Sequence, residues 1–444
     1  MKLMSCESSL SNIGTLTRRE SCRLCGSDKL ELVMRLTATP PANAFVSTDH
    51  LGEKDAVYPL DLHLCLDCGH LQLLDIVSAD VLFRNYVYVS GTSPVFVEHF
   101  RQYAEDLMKL AVWKLRGHPL PRATCREQDL AAPAGNKLVL DIGSNDGTML
   151  KFFKAKGLRV LGVDPALDIA KGASDAGIPT LPAFFTEALA EEIKAKHGAA
   201  SIVVANNVFA HADDLLGIAR GVRGLLAPEG IFVFEVSYLV DVVEKTLFDT
   251  IYHEHLSYHA LKPLKSFFER LGMEIFDAER VLTHGGSLRC FVQRRGAGRP
   301  LSSCVDNLIN LEAKLGLHAP EAFRAFAGKI ERLGNELGTL LRDLKAKGKK
   351  VAGYGAPAKA TTLLYQFNLA NVLDFIVDDS PLKQNLYTPG YHIPVLSSRA
   401  IVERKPDYLL LLAWNFAESI IKNNKTFLDQ GGHIIVPLPE LRVV

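Results

Sequence analysis

The sequence predicts an α/β protein with two doubly wound sheets behind a small cysteine-rich unit. Three observations predict it. Two C-x-x-C-G knuckles lie near the amino terminus, the stretch "KLVLDIGSNDGTMLKFFKAKGLRVLGVDPA" reads as strand, glycine turn, helix and strand, and "KKVAGYGAPAKATTLLYQF" starts a second such alternation. With 444 residues the chain is long enough for about two to four domains. The expected boundaries are 1–85, 86–300 and 301–444. The 50 basic and 50 acidic residues cancel, so no overall field favours nucleic acid or an anionic membrane. The start, "MKLMSCESSLSNIG", has no apolar core fit for a signal peptide, and the aliphatic run "YLLLLAW" is far short of a membrane span. A soluble, cytoplasmic protein is expected.

Eight cysteines in such a chain should stay reduced, so their spacing calls for metal or burial. Cys22 and Cys25 form one C-x-x-C pair, Cys65 and Cys68 the other, and each pair is followed by glycine. Paired knuckles of this kind place four thiolates around a structural Zn²⁺. Four protein ligands close the shell, so the metal is expected to be a staple without an open position. The alternative is two unrelated thiol pairs in a reduced core. Beyond them, an amphipathic helix is expected from about Val95 to Arg116, then a linker over roughly 118–135.

In the central unit the strand "LVLDIG" delivers Asp141 to its carboxyl end, Gly143 and Gly147 permit a tight turn around Asn145, and "LGVD" ends on Asp164, where a ribose diol would be held. A dinucleotide site wants G-x-G-x-x-G. Here Asp141 and Asp146 would face the phosphates, and like charges repel. S-adenosylmethionine carries a sulfonium and an ammonium and no phosphate, and suits an acidic turn. "SIVVANNVFAHADDL" is a further buried strand that ends at Asn206 and leads to His211, and "GIFVFEVSYLVDVV" is the next.

The octapeptide that follows, Tyr252 to His259 ("YHEHLSYH"), is dense in acid–base groups. The H-E-x-x-H pattern of zinc proteases fails, because Ser257 stands where the second histidine belongs. His255 and His259 are four apart and would share a face if the segment were helical. Acid–base chemistry fits better: His255 as a base, Glu254 as the carboxylate that orients it, and Tyr252 as a donor to a developing enolate oxygen. The competing view is that these groups cap a helix and satisfy buried backbone. "GGSLR" is expected to return the chain to the sheet, with Arg289 either a surface residue or a substrate clamp. In the last unit Gly355 opens a helix, and its amides with Lys359 nearby would suit phosphate; the alternative is a plain α/β lobe.

The succession of the Cys₄ knuckles, "YVYVSGTS", "LDIGSNDGT", "NVFAH", "YHEHLSYH", "THGGSLR" and "GYGAPAKATTLL...DFIVDDSPLKQ" resembles the C-methyltransferases of deoxysugar biosynthesis, over nearly the whole chain. The resemblance implies a zinc-binding domain, a central Rossmann-like S-adenosylmethionine methyltransferase domain and a carboxyl-terminal Rossmann-like lobe that helps to hold a nucleotide sugar. It also implies methylation of a nucleotide-linked 4-keto-deoxysugar, usually at C3. His255 matches the base; Tyr252, Glu254 and His211 match positions around the sugar, with Tyr88 or else Tyr86 reaching in. Gly355, Lys359 and the segment containing Asp379 and Lys383 match the nucleotide-contacting lobe. The rivals are O- or N-methylation, an RNA methyltransferase suggested by the knuckles, and a scaffold that binds the methyl donor without turnover. The missing basic, aromatic-interleaved stripe speaks against RNA.

Overall fold

The structure, a computed structural model, describes residues 16–78, 81–82, 91, 94–113 and 137–444. Tyr86, Tyr88 and the expected linker lie outside these residues.

The amino-terminal unit has strands β1 (Leu16–Arg18), β2 (Leu30–Thr39), β3 (Tyr58–Cys65), β4 (Leu71–Leu73) and β5 (Asp75–Val77). β1 pairs with β5, and β2, β3 and β4 form an antiparallel meander over a small core that includes Leu60, Leu62 and Leu64. A helix, Pro94–Trp113, follows. It starts one residue before the expected Val95, at a proline whose fixed φ suits a first helical turn.

The central sheet is built from β6 (Leu138–Ile142), β7 (Arg159–Val163), β8 (Thr180–Leu181), β9 (Ala200–Asn206) and β10 (Leu226–Ser237), all parallel. β11 (Ser257–Tyr258) leaves it to join the first unit. β12 (Met273–Val281) and β13 (Ser287–Arg294) complete it as antiparallel neighbours, in the order β12-β13-β10-β9-β6-β7-β8. β6 is buried along its whole length, Asp141 included, as a mainly aliphatic strand flanked by parallel strands is. Truncating Leu140 there would cost about 2–5 kcal/mol. Strand order reverses between β6 and β9, and the crevice at their carboxyl ends is where a doubly wound sheet binds its ligand.

Two helices, Ser303–Lys314 and Pro320–Ala346, lead to the last sheet. Its strands are β14 (Val351–Tyr354), β15 (Ile376–Val377), β16 (Val395–Leu396), β17 (Tyr408–Leu411), β18 (His433–Val436) and β19 (Arg442–Val443). They run in the order β16-β15-β14-β17-β18-β19, parallel except for β19. This is a second doubly wound sheet, with its own reversal between β14 and β17.

Two expectations are corrected. The octapeptide is a turn followed by β11, and the next helix begins only at Leu261, so His255 and His259 share no helix face. Instead, Ser257 and Tyr258 pair with Gln72 and Leu71, adding a strand to the amino-terminal sheet. Arg289 is neither exposed nor free for a substrate. It lies buried on β13, bonds Glu235 through Nε and Nη2 at 3.1 and 2.9 Å, and stacks 3.6 Å over the Tyr103 ring. Among the described residues no helix is long and apolar enough to cross a membrane.

Candidate active site

The glycine turn after β6 forms the floor of the first crevice. Gly143 has φ +70°, and a Cβ there would lie 2.2 Å from Val208 Cγ2, so only glycine lets the turn pass under the β9 loop. Gly147, also left-handed, opens the helix Thr148–Ala155. Asp146 accepts from the Thr148 amide and hydroxyl at 3.1 and 2.7 Å, so it caps that helix. Asp164 closes the turn, accepting from the Asn145 and Ala166 amides at 2.9 and 3.0 Å.

Three buried polar atoms line this crevice. Asp141 Oδ1, Ser144 Oγ and Asn206 Oδ1 are buried without a partner among the described residues, while Asn206 Nδ2 rests on Met149 Sδ at 3.1 Å. Burial pushes the Asp141 carboxyl well above the usual range, and the charge of Asp164 adds to this. A cationic ligand reverses such a shift, because an opposite charge favours the ionised carboxylate. The donor and acceptor set therefore fits S-adenosylmethionine. Ser144 was not foreseen, and Asn207, which the sequence puts beside Asn206 at the strand end, is left-handed and its amide donates to the Glu235 carbonyl at 2.7 Å.

The octapeptide arches over the same edge, and its groups divide into two kinds. His253 and His259 are buried props: their Nε2 atoms contact the carbonyls of Tyr58 and Phe209, both at 3.2 Å, and burial draws both pKa values down to about 4. His255 and Tyr252 are only half-buried. His255 Nδ1 lies 2.7 Å from the Thr250 carbonyl oxygen. A carbonyl only accepts, so Nδ1 carries the hydrogen and Nε2 keeps the lone pair. The ring packs 4.1 Å from that of Tyr252 and 4.8 Å from that of His211, centroid to centroid.

The Thr250 carbonyl thus performs at Nδ1 the orienting task expected of Glu254. Glu254 accepts from Asn43 Nδ2 at 2.8 Å, and burial raises its carboxyl to about 7 against the weaker opposing effect of that bond. Asn43 belongs to the loop after β2, so the amino-terminal unit supplies a wall of the site.

The loops are stitched together behind this wall. The Leu256 and Ser257 amides donate to the Ala210 carbonyl at 2.9 and 3.1 Å, which fixes His211 beside His255. Arg23, inside the first knuckle, donates to Asp213 Oδ1 at 2.9 Å, to Gln72 Oε1 at 3.2 Å, and to the carbonyls of Leu73 and Leu256.

The four cysteines meet as expected. Their sulfurs lie within 4.8 Å of one another, with Cys22 to Cys68 at 3.6 Å and Cys25 to Cys65 at 3.4 Å. Tetrahedral Zn–S bonds of about 2.3 Å give sulfur–sulfur edges of about 3.8 Å, so the cage fits with a small expansion. The hydrogen bond with Cys68 draws the Cys22 thiol down to about 5.

The carboxyl-terminal lobe presents its own crevice. Gly355, at φ +86°, has no room for a side chain, since a Cβ would lie 2.5 Å from that of Ala413. Asp378, directly after β15, accepts from the Ala356 and Ser380 amides at 2.6 and 2.8 Å, in the position Asp164 holds in the first sheet. Asp379, the acid singled out from the sequence, is bonded to Ser398 at 2.5 Å. Lys383 donates to the Ala356 carbonyl at 2.8 Å, beside the turn. Lys359 is largely buried, 3.3 Å from Asp249 Oδ2.

A doubly wound sheet with an acidic glycine turn, beside a tautomer-fixed histidine, defines an S-adenosylmethionine-dependent methyltransferase. Sequence comparison narrows the class, and the chain belongs to the C-methyltransferase family. It is 37% identical over 426 residues to the C-methyltransferase NovU of Streptomyces niveus, an alignment covering 96% of this chain and 97% of that protein. Residues 282–439 match the family model described as "C-methyltransferase C-terminal domain", 116–277 that of "Methyltransferase domain", and 22–83 that of "Putative zinc binding domain". Among solved structures, magnesium protoporphyrin IX methyltransferase from Synechocystis with bound SAM is 13% identical, covering 47% of this chain and 86% of that one at a TM-score of 0.31. The plantazolicin methyltransferase BpumL with SAH is 11% identical, covering 44% and 85% at a TM-score of 0.31.

Proposed function

We propose that the enzyme C-methylates a nucleotide-linked 4-keto-deoxysugar in the cytoplasm, at C3, through an enolate generated by His255. One observation carries this reading. A histidine with its Nδ1–H committed to a backbone carbonyl directs a basic Nε2 away from that bond, beside a second histidine and next to the cofactor turn.

The 4-keto group acidifies the neighbouring C3–H. His255 Nε2 takes that proton, and the electron pair of the broken bond delocalises onto the ketone oxygen. His211 and Tyr252 are the donors assigned to the oxyanion, and Tyr88 is the expected third. Glu254, with its pKa near 7, holds a proton close to the sugar. S-adenosylmethionine, when bound, would supply the sulfonium methyl: as the carbon forms its new C–C bond the S–CH3 bond would break, its electron pair staying on the sulfur of the departing thioether. Asp141, Gly143, Asn145, Gly147, Asp164 and Asn206 hold the cofactor. Orienting the two substrates in one cleft contributes about 7 kcal/mol or more to the barrier reduction.

The boundaries assigned to the three units are 1–85, 86–300 and 301–444. The zinc is a staple, and the last lobe takes the nucleotide at the Gly355 turn, with Asp379 and Lys383 as further contacts; Tyr86 is assigned to the substrate on the family resemblance alone. The ligand is a small molecule, and the balanced charge gives nucleic acid no foothold.

The test is product analysis by mass spectrometry and NMR, using isotope-labelled methyl donor and a panel of 4-keto-sugar nucleotides. A new C–C bond at C3 is expected. A methyl on oxygen or nitrogen, or no transfer to any sugar nucleotide, overturns the reading.

A further inference from the structure

The carbonyl that fixes His255 belongs to a short 3-10 turn, Phe248–Thr250, and this turn is gripped by the carboxyl-terminal lobe. On one side of Thr250, the fully buried Asp249 accepts from Trp414 Nε1 at 2.6 Å and pairs with Lys359 Nζ at 3.3 Å. The Lys359 ammonium also lies 4.2 Å over the Trp414 ring. On the other side, the Ile251 carbonyl accepts from Thr362 Oγ1 at 2.7 Å. Lys359 directly precedes the helix Ala360–Gln366 and Thr362 lies in its first turn. A single helix therefore holds residues 249 and 251, and residue 250 between them presents its carbonyl to the base. Phe248 extends the contact, its ring 5.2 Å from that of Phe367.

We propose that Lys359 and Thr362 are positioning residues for His255, acting through the Asp249–Ile251 segment, and that Lys359 is not a phosphate anchor. The inference rests on His255 being the base. A carbonyl held at both flanking residues cannot rotate away from Nδ1, and a group that fixes a histidine tautomer from behind governs how well the other nitrogen works. Lys359 has the ordinary marks of such a part. It is largely buried, its charge is neutralised by a buried carboxylate, and its ammonium rests over an aromatic face. Thr362 is buried, and its hydroxyl is spent on a backbone carbonyl.

The experiment compares Lys359→Met, Thr362→Val and Thr362→Ser with the unaltered zinc-loaded enzyme, in steady-state kinetics with keto-sugar nucleotide and methyl donor. Loss of the clamp is expected to lower kcat by about 10- to 100-fold in Lys359→Met and Thr362→Val. KM for the sugar nucleotide should stay within about twofold, because no substrate contact is removed. Thr362→Ser keeps the hydroxyl donor and should restore most of kcat. The rate of deuterium wash-in from D₂O without donor should fall in parallel with kcat. A raised KM with unchanged kcat in Lys359→Met would assign the lysine to the phosphates and overturn the proposal. So would a Thr362→Val enzyme within twofold of the unaltered kcat. If Lys359→Met does not fold, the valine and serine pair decides. The His255→Gln enzyme separates the two levels: wash-in that survives there refutes the base itself, whereas wash-in lost there but intact in the Thr362→Val enzyme refutes only the clamp.

Discussion

Arg23→Met should loosen both histidine loops while leaving the metal cage intact. The guanidinium is fully buried within the Cys22–Cys25 knuckle, and its bonds reach Asp213, two residues after His211, and Leu256, next to His255. The short bond to the Leu73 carbonyl and the one to Gln72 are both buried. Hydrogen bonds to a charged group contribute about 1.5–3 kcal/mol each, so two buried ones give about 3–6 kcal/mol. The Asp213 side chain is 41% exposed and also holds Arg19, so its pairing adds little more. Against this stands the cost of burying the charge, seen in an Arg23 pKa drawn down to about 10 from 12.5 mainly by desolvation; it amounts to about 3 kcal/mol. The net loss is about 1.5 kcal/mol, or a melting shift of about 3–6 °C for a cooperative unit of 150–250 residues. Scanning calorimetry reads the shift, zinc content should be unchanged, and kcat should fall. A melting point within about 1 °C of the unaltered protein, with kcat within twofold, would refute the idea that the knuckle braces the site.

Further outcomes follow from the same geometry. The Glu254 carboxyl titrates at about 7 in the folded protein, above its ordinary 4.5. Its neutral form is favoured on folding, so the associated stability is fully present below about pH 4.5 and lost as pH rises through 7, a swing of about 3 kcal/mol. Denaturant titrations of Glu254→Gln between pH 5 and 8 should show a flatter profile, and parallel curves would argue against a buried proton. Gly143→Ala forces a left-handed backbone and a methyl into Val208, costing about 1–3 kcal/mol. Calorimetric titration should show weakened S-adenosylmethionine binding, and unchanged affinity would mean that the turn does not cradle the cofactor.

Much of this was legible in the sequence because backbone chemistry writes itself locally. The paired C-x-x-C-G knuckles, the aliphatic run ending in Asp141 and the acid closing β7 each fix a local geometry, and all stand where spacing placed them. The octapeptide was legible as chemistry but not as conformation. Its strand character comes from pairing with Gln72 and Leu71, residues far away in sequence, and no local periodicity reports that. Asn43, Thr250, Asp249 and Trp414 were missed for the same reason, since each acts across a unit boundary or through its backbone. Asp378 had a readable signal. It directly follows the strand, as Asp164 does, whereas Asp379 is one residue too far. Arg289 misled because an arginine after "GGSL" looks exposed; the register of β13 against β10 turns it onto Glu235.

The central claim is that His255 Nε2 removes a proton from the sugar carbon that receives the methyl. Incubating the 4-keto-sugar nucleotide with enzyme in D₂O, without methyl donor, and following C3 by NMR tests it most directly. Deuterium should enter at C3 with the unaltered enzyme and not above the uncatalysed rate with His255→Gln. Exchange that persists at full rate in the variant would contradict it.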